Sequence, residues 1–304
     1  MTLQQCRYLI EIAKYQSLNK AAAALYVTQP SLSKAIRNLE MELSITIFER
    51  TNKGVLFTEQ GRELLFHAQK LVAQAESVVY QFTQKPGTPL KYAISSQHYS
   101  FAIEAFARFM QLFNQEYELS IREGKTTDVI DDVYTSRSIL GVVSITDLNE
   151  HFFARYFTSK SLTFQQLETV KQHVFLREKH PLAAQATVHL DDLEPYPYLT
   201  YQQNDMMLHF AEETLNLHDR KQLVYLKDRG AMNNLLAHTN GFNLGTGCIV
   251  KGYMNSNITS RPLIGGSSIR IGYIKRDDTV FSNEIVQFVD ELTQSLHHSL
   301  PKTD

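Results

Sequence analysis

The 304-residue chain carries 30 Lys/Arg against 32 Asp/Glu, a net charge of −2, with 43% hydrophobic and 20% charged residues. That is an ordinary globular composition with room for two or three domains, and no apolar run is long enough to span a membrane. Two distant cysteines, Cys6 and Cys248, argue against a structural zinc site. With an opening segment that lacks signal-peptide architecture, they predict a cytoplasmic protein.

The charge is unevenly spread. Residues 1–58 hold seven Lys/Arg and four Glu, a net +3 that leaves −5 for the remainder. A basic head on an acidic body suggests that the head alone meets a polyanion. The head reads as three short helices. Cys6, Leu9, Ile10 and Ala13 form the buried face of the first, and Ser17 caps the second, "LNKAAAALYV". In the third, "VTQPSLSKAIRNLE", Leu32, Ile36, Leu39 and Leu43 recur every three or four residues as one apolar stripe. Thr28 caps this helix and Pro30 lies in its first turn. Gln29, Pro30, Ser33, Lys34 and Arg37 then point away from the stripe, side chains able to bond base edges or neutralise phosphates. A solvated helix face has the same pattern, so context decides. The short connection between the second and third helices is helix-turn-helix spacing. Next, "ERTNKG" between two apolar runs reads as the turn of a two-stranded wing with Arg50 and Lys53 at its tip.

From Thr58 to about Gln84 there is no proline. Leu64, Ala68, Leu71, Ala75, Val78 and Phe82 are spaced as a heptad seam, with Leu65, Val72 and Val79 as a second column. The stripe is wider than one small domain covers, which predicts a dimerisation helix. "KPGTP" at 85–89 breaks the chain as a linker.

Beyond it strands and helices alternate: "LKYAIS", "SFAIEAFARFMQLF", "YELSIRE", "DVIDDVYTS" and "ILGVVSI". That alternation is the signature of an α/β fold with a parallel sheet. A second unit begins near Ser161, with strands "QHVFLREKHPLA", "YPYLTYQ" and "QLVYLK" and a helix over about 206–217. "GAMNNLLAHTNGFNLGTGCIV" follows as helix, glycine-rich turn and strand, and "IRIGYIKR" and "NEIVQFVDELTQSLH" close the chain. "GTGCIVKG" lacks GxGxxG and P-loop spacing, so it is a turn and not a phosphate cradle.

"SLNKAAAALYVTQPSLSKAIRNLEMELSITIFERTNKGVLFTEQG" resembles the winged helix-turn-helix of LysR-type transcriptional regulators, through "QPSLS", "IFER" and "FTEQG". "KHPLA" and "DDLEPYPYLTY" echo that family's effector domain. One departure is Ser44, where the family usually has glycine; a left-handed cap there costs around 1 kcal/mol. The resemblance implies a winged head over 1–58, a linker helix over 59–85 and an effector domain over 90–304 like periplasmic solute-binding proteins. The effector domain would comprise subdomain I (about 90–160 and 266–304) and subdomain II (about 161–265). It also implies a cytoplasmic homo-oligomer, a dimer or a tetramer built as a dimer of dimers, with double-stranded DNA and RNA polymerase as partners. A small-molecule effector takes the place of a cofactor or metal.

Carried over residue by residue, Thr28, Gln29, Pro30, Ser33, Lys34 and Arg37 would lie at the major groove, with Arg50 and Lys53 on the wing. The effector cleft would lie beyond the carboxyl ends of strands. Its candidates are Ser95, Ser96, His98, Thr126, Thr127, Ser144 and Thr146, with Tyr201, Gln202 and Thr246 from the second subdomain. Hydroxyls and helix-start N–H groups there suit a small anion. A peroxide switch would need a second cysteine in this half. A solute-binding protein would leave the basic head without a role, and an enzyme would need a GxSxG, HExxH or paired-carboxylate constellation that the sequence lacks.

Overall fold

Three hydroxyl side chains start the helices of the head. In the computed structural model Thr2 accepts from the Gln5 N–H before α1 (Leu3–Tyr15), Ser17 from Lys20 before α2 (Leu18–Ala24), and Thr28 from Ser31 before α3 (Gln29–Leu43). The structure describes residues 1–51, 54–83, 90–114, 116–202, 222–254 and 256–301. The chain divides into two compact units, one holding Met1–Thr88 and the other Pro89–Tyr134 with Ser138–Asp304.

In the first unit Leu9 and Ile12 of α1, Ala21 and Ala22 of α2, and Leu32, Ile36 and Leu39 of α3 share one core. The α1 face turns slightly from the expected one: Ile12 is fully buried, while Ile10 and Ala13 are only partly covered. Ser44 ends α3 in the left-handed region, φ 54° and ψ 38°, the conformation expected where serine stands in place of the family's glycine. The wing is β1 (Phe48–Thr51) against β2 (Gly54–Phe57), with Arg50 opposite Val55 and Thr51 opposite Gly54. The strands therefore run further than "ERTNKG" suggested, and Arg50 belongs to a strand instead of the tip. The Thr58 hydroxyl accepts from the Gly61 N–H at 2.9 Å at the start of α4 (Glu59–Thr83), a helix ~40 Å long.

The second unit contains, in chain order, β3 (Leu90–Ser96), α5 (Ser100–Met110), β4 (Tyr117–Glu123), α6 (Thr126–Tyr134), β5 (Leu140–Thr146), α7 (Glu150–Ser159) and β6 (Leu162–Lys171). Then come β7 (His173–Arg177), β8 (Val188–His189), β9 (Tyr198–Tyr201), β10 (Leu223–Leu226), α8 (Arg229–His238), β11 (Asn243–Gly245) and β12 (Ile258–Ile264). Last are β13 (Ser268–Arg276) and α9 (Asn283–Ser299). One five-stranded sheet runs β4-β3-β5-β13-β6, with β3 parallel to β4 and β5, and β13 antiparallel to β5 and β6. Alternate residues of β5 feed two cores: Val142 joins α5 and α9 on one face, and Val143 joins α6 and α7 on the other. The second subdomain holds a sheet ordered β11-β7-β12-β8 and the parallel pair β9–β10.

Two expectations change here. The crossing between subdomains lies at Gln172, not near Ser161, because β6 is an edge strand of the first sheet. Its pairing with β13 shifts register between Ile271 and Gly272, and that bulge breaks the alternation that would have marked β6 in the sequence. The strand near "GTGCIVKG" precedes the glycine turn as β11, and Cys248 and Val250 after it join the α5–α9 core. The helix expected over 206–217 and the linker at 85–89 lie outside the described residues.

Candidate DNA face and effector cleft

Once the stripe of α3 is buried, Pro30, Ser31, Lys34, Arg37, Asn38 and Met41 remain exposed on its outer side. Pro30, Lys34, Arg37 and Asn38 line one shallow groove that continues to Thr46. Two expected contacts point elsewhere. Ser33 is buried, next to Leu32 at the edge of the stripe, and its hydroxyl accepts from Gln29 Nε2 at 2.8 Å. The Thr28 hydroxyl donates to Ser31 Oγ at 2.8 Å besides capping the helix. Arg37 Nε leans on the Ser33 carbonyl at 3.5 Å. Lys53 and the side chain of Arg50 lie outside the described residues.

The seam of α4 also divides. Ala68 and Val72 are buried in the head's own core, where Leu64 packs with them, so Ala68 cannot face a second chain. Arg7 Nη1 pairs with Glu76 Oε1 at 2.8 Å and ties α1 to α4. Leu71, Val78 and Val79 are 43%, 45% and 60% exposed and form the outer face; Ala75 is half-buried, and the side chain of Phe82 lies outside the described residues.

In the second unit a cavity opens between the two subdomains. Of the ten effector candidates it gathers His98, Ser144, Tyr201 and Thr246. The other six serve elsewhere. Ser95 Oγ donates to Asp132 Oδ2 at 2.7 Å beside Ser138, and Ser96 Oγ donates to the Gln97 carbonyl at 2.7 Å, both wholly buried between β4 and β5. Thr126 Oγ1 accepts from Gln97 Nε2 at 2.5 Å. The hydroxyls of Thr127 and Thr146 are buried away from the cavity, and Gln202 is exposed.

Gln97 organises the floor beneath the cavity. Fully buried, it accepts from the Ser144 N–H at 2.7 Å and the Tyr99 hydroxyl at 2.9 Å while donating to Thr126. Across the cleft the His98 ring stacks on Tyr201, centroids 3.9 Å apart and 8° from parallel. Below the turn that follows β11, Gly247 (φ +76°) lies against the His173 ring, where a β-carbon would come within 2.5 Å of Cγ. His173 Nδ1 donates to the Lys171 carbonyl at 2.8 Å, and burial pushes its ring pKa down.

The chain matches known proteins along most of its length. The family described as bacterial regulatory helix-turn-helix protein, lysR family, matches residues 3–62, and the LysR substrate binding domain matches residues 92–297. The chain belongs to the LysR family.

This LysR-family chain is thus a DNA-binding transcriptional regulator with an effector-binding domain. It is 28% identical over 207 residues to the HTH-type transcriptional regulator YvbU of Bacillus subtilis (strain 168), covering 66% of this chain and 65% of that protein. With the transcriptional dual regulator GltC of the same organism it shares 28% over 220 residues, 70% of this chain and 69% of that one. The chain spans just under two thirds of YvbU. Among solved structures, a full-length cysteine variant of OxyR from Pseudomonas aeruginosa has the same fold, with a TM-score of 0.60 at 19% identity over 97% of both chains. CbnR, a LysR family transcriptional regulator, also has a TM-score of 0.60, at 14% identity over 97% of this chain and 99% of that one. Among the described residues, no helix is long and apolar enough to cross a membrane.

For a LysR-family head, Ser31 and Asn38 were readable and overlooked: with Lys34 they repeat at three and four residues, out of phase with the stripe. Arg229, Asn233 and Asn243 of the cleft carried no such signal, since only the chain's return brings α8 and β11 to the turn that follows β3.

Proposed function

We propose that the exposed face of α3 reads duplex DNA, with Lys34 and Arg37 on phosphates and Ser31, Gln29 and Asn38 toward base edges. The observation that carries this reading is that Ser31, Lys34, Arg37 and Asn38 remain outside once the α3 stripe is buried, with Gln29 half-buried beside them. Arg50 and Lys53 are assigned phosphate contacts by the family resemblance alone. Two chains pair through the outer face of α4, and a pair of such dimers forms the tetramer. The regulator works in the cytoplasm, by binding and without chemistry of its own. A small anion in the cleft changes the spacing of the two heads along DNA, and thereby access of RNA polymerase.

The test is a footprint and titration on DNA flanking the chain's own gene. Lys34→Ala and Arg37→Ala should each lower the salt slope of binding by about one unit for all sequences. Asn38→Ala should relax preference at one base pair, at a cost of about 1–3 kcal/mol. Wild-type affinity and slope in all three variants would reject the α3 face.

A further inference from the structure

Glu123 ends β4 in the first subdomain and Arg229 opens α8 in the second, yet Arg229 Nε lies 2.8 Å from Glu123 Oε1. Arg229 Nη1 also donates to the Tyr253 carbonyl at 3.2 Å. Together with the stack of His98 on Tyr201, the ion pair ties the subdomains across the cleft. The cavity left inside is about 60 Å³, space for a few waters. Sites for small organic ligands measure ~300 Å³ or more, so an effector must part these contacts to enter.

The walls decide what could enter. Phe101, Phe175, Met232 and Leu236 give the cavity an apolar side. Among the described residues that line it, Arg229 is the only Lys or Arg, and none is Asp or Glu. Glu123 reaches the guanidinium from outside that lining.

We propose that Glu123 stands in for the effector's own carboxylate. The effector is then a small carboxylate with an apolar body, which takes Arg229 from Glu123 and buries the body against Phe101, Phe175, Met232 and Leu236. This rests on the cleft being the effector site, as proposed above. An arginine whose side chain is only 18% exposed needs an anion when the cleft opens, and a ligand carboxylate supplies the same charge-assisted bond. Glu123, released at a strand end, regains water. A neutral ligand of the same shape leaves Arg229 without an anionic partner, and an amino acid brings an ammonium to a wall whose described residues include no carboxylate. Occupancy and opening are thereby one equilibrium.

Cys248 lines the cavity and is 4% exposed, so it reports opening in the full-length protein. Iodoacetamide labelling would be read at the Cys248 peptide by mass, with Cys6 scored separately. Glu123→Gln, a near-isosteric change at a strand end, should label about fivefold faster than wild type, the factor that loss of one partly exposed ion pair produces. Equal rates would overturn the latch. The probes are 4-methylpentanoate, 4-methylpentanamide and leucine at millimolar concentration. The acid fills the cavity that Cys248 lines and covers the thiol, so it should protect Cys248 in wild type, protect at about fivefold lower concentration in Glu123→Gln, and fail in Arg229→Gln. Protection by the amide equal to that by the acid, or leucine protection that weakens in Glu123→Gln, would overturn the displaced carboxylate while leaving the cleft as effector site. Protection by none of the three would overturn the apolar-carboxylate class. A footprint that responds to an effector with Cys248 labelling unmoved would overturn the cleft reading itself.

Discussion

Gly61 lies so close to Ile47 that a β-carbon on it would sit 1.8 Å from the Ile47 carbonyl oxygen. The contact involves backbone on both sides, so no rotamer can relieve it. It fixes the first turn of α4 against the segment that enters the wing, beside the Thr58 hydroxyl bonds to Thr46 and Ile47. Glycine in "FTEQG" is thus a packing requirement.

Gly61→Ala should therefore destabilise the head by about 3 kcal/mol or more, although alanine is the better helix former. Thermal unfolding of the full chain should show the head's transition lowered by ~10 °C or more. An unchanged or raised midpoint would mean that α4 shifts freely.

The proposed pairing through the outer face of α4 would separate folding from assembly. Ala68→Glu places a charge in the head's core and should unfold the head, seen as lost helical circular dichroism at any concentration. Leu71→Glu alters a side chain that is 43% exposed within the protomer, so the fold should persist while sedimentation shows smaller species. Wild-type assembly of Leu71→Glu would move the interface off this face.

Gln97→Ala removes three hydrogen bonds at once and leaves the buried Ser144 N–H without its acceptor. The loss should be about 3 kcal/mol, confined to the second unit. Hydrogen exchange at Ser144 should quicken while the amides of α3 keep their wild-type rates.

His173 carries a linked pH dependence. Burial lowers its ring pKa below the ordinary 6.5, so the unfolded chain takes up the proton more readily than the folded one. The stability this leaves to the folded state is full above pH 6.5 and is lost as pH falls below that value toward the folded pKa. His180, also buried and shifted down, adds in the same direction. Unfolding midpoints measured between about pH 7.5 and 5.5 should fall with pH, and His173→Asn should flatten the slope.

The head was legible in the sequence because its determinants are local. Thr28, Pro30 and the stripe Leu32–Ile36–Leu39 lie within one helix, and their spacing alone sets its start and inner face. The left-handed Ser44 was expected only from the family resemblance, which places a glycine there. The second unit was legible as alternating strands and helices, for the same reason of short-range periodicity. The cleft was not. Glu123 and Arg229 are 106 positions apart, and only the order of strands in two sheets brings them within hydrogen-bond reach. The hydroxyls chosen at strand ends shared the right chemistry, yet Ser95 and Ser96 are enclosed by neighbouring strands while His98, two residues on, reaches the cavity. Likewise the heptad of α4 names an apolar stripe without saying which residues the chain's own α1 covers; Ala68 and Leu71 look alike in the pattern and part ways in the fold. Spacing specifies which side chains share a face. What lies opposite that face is a contact between distant segments, and it exists only once the chain has closed on itself.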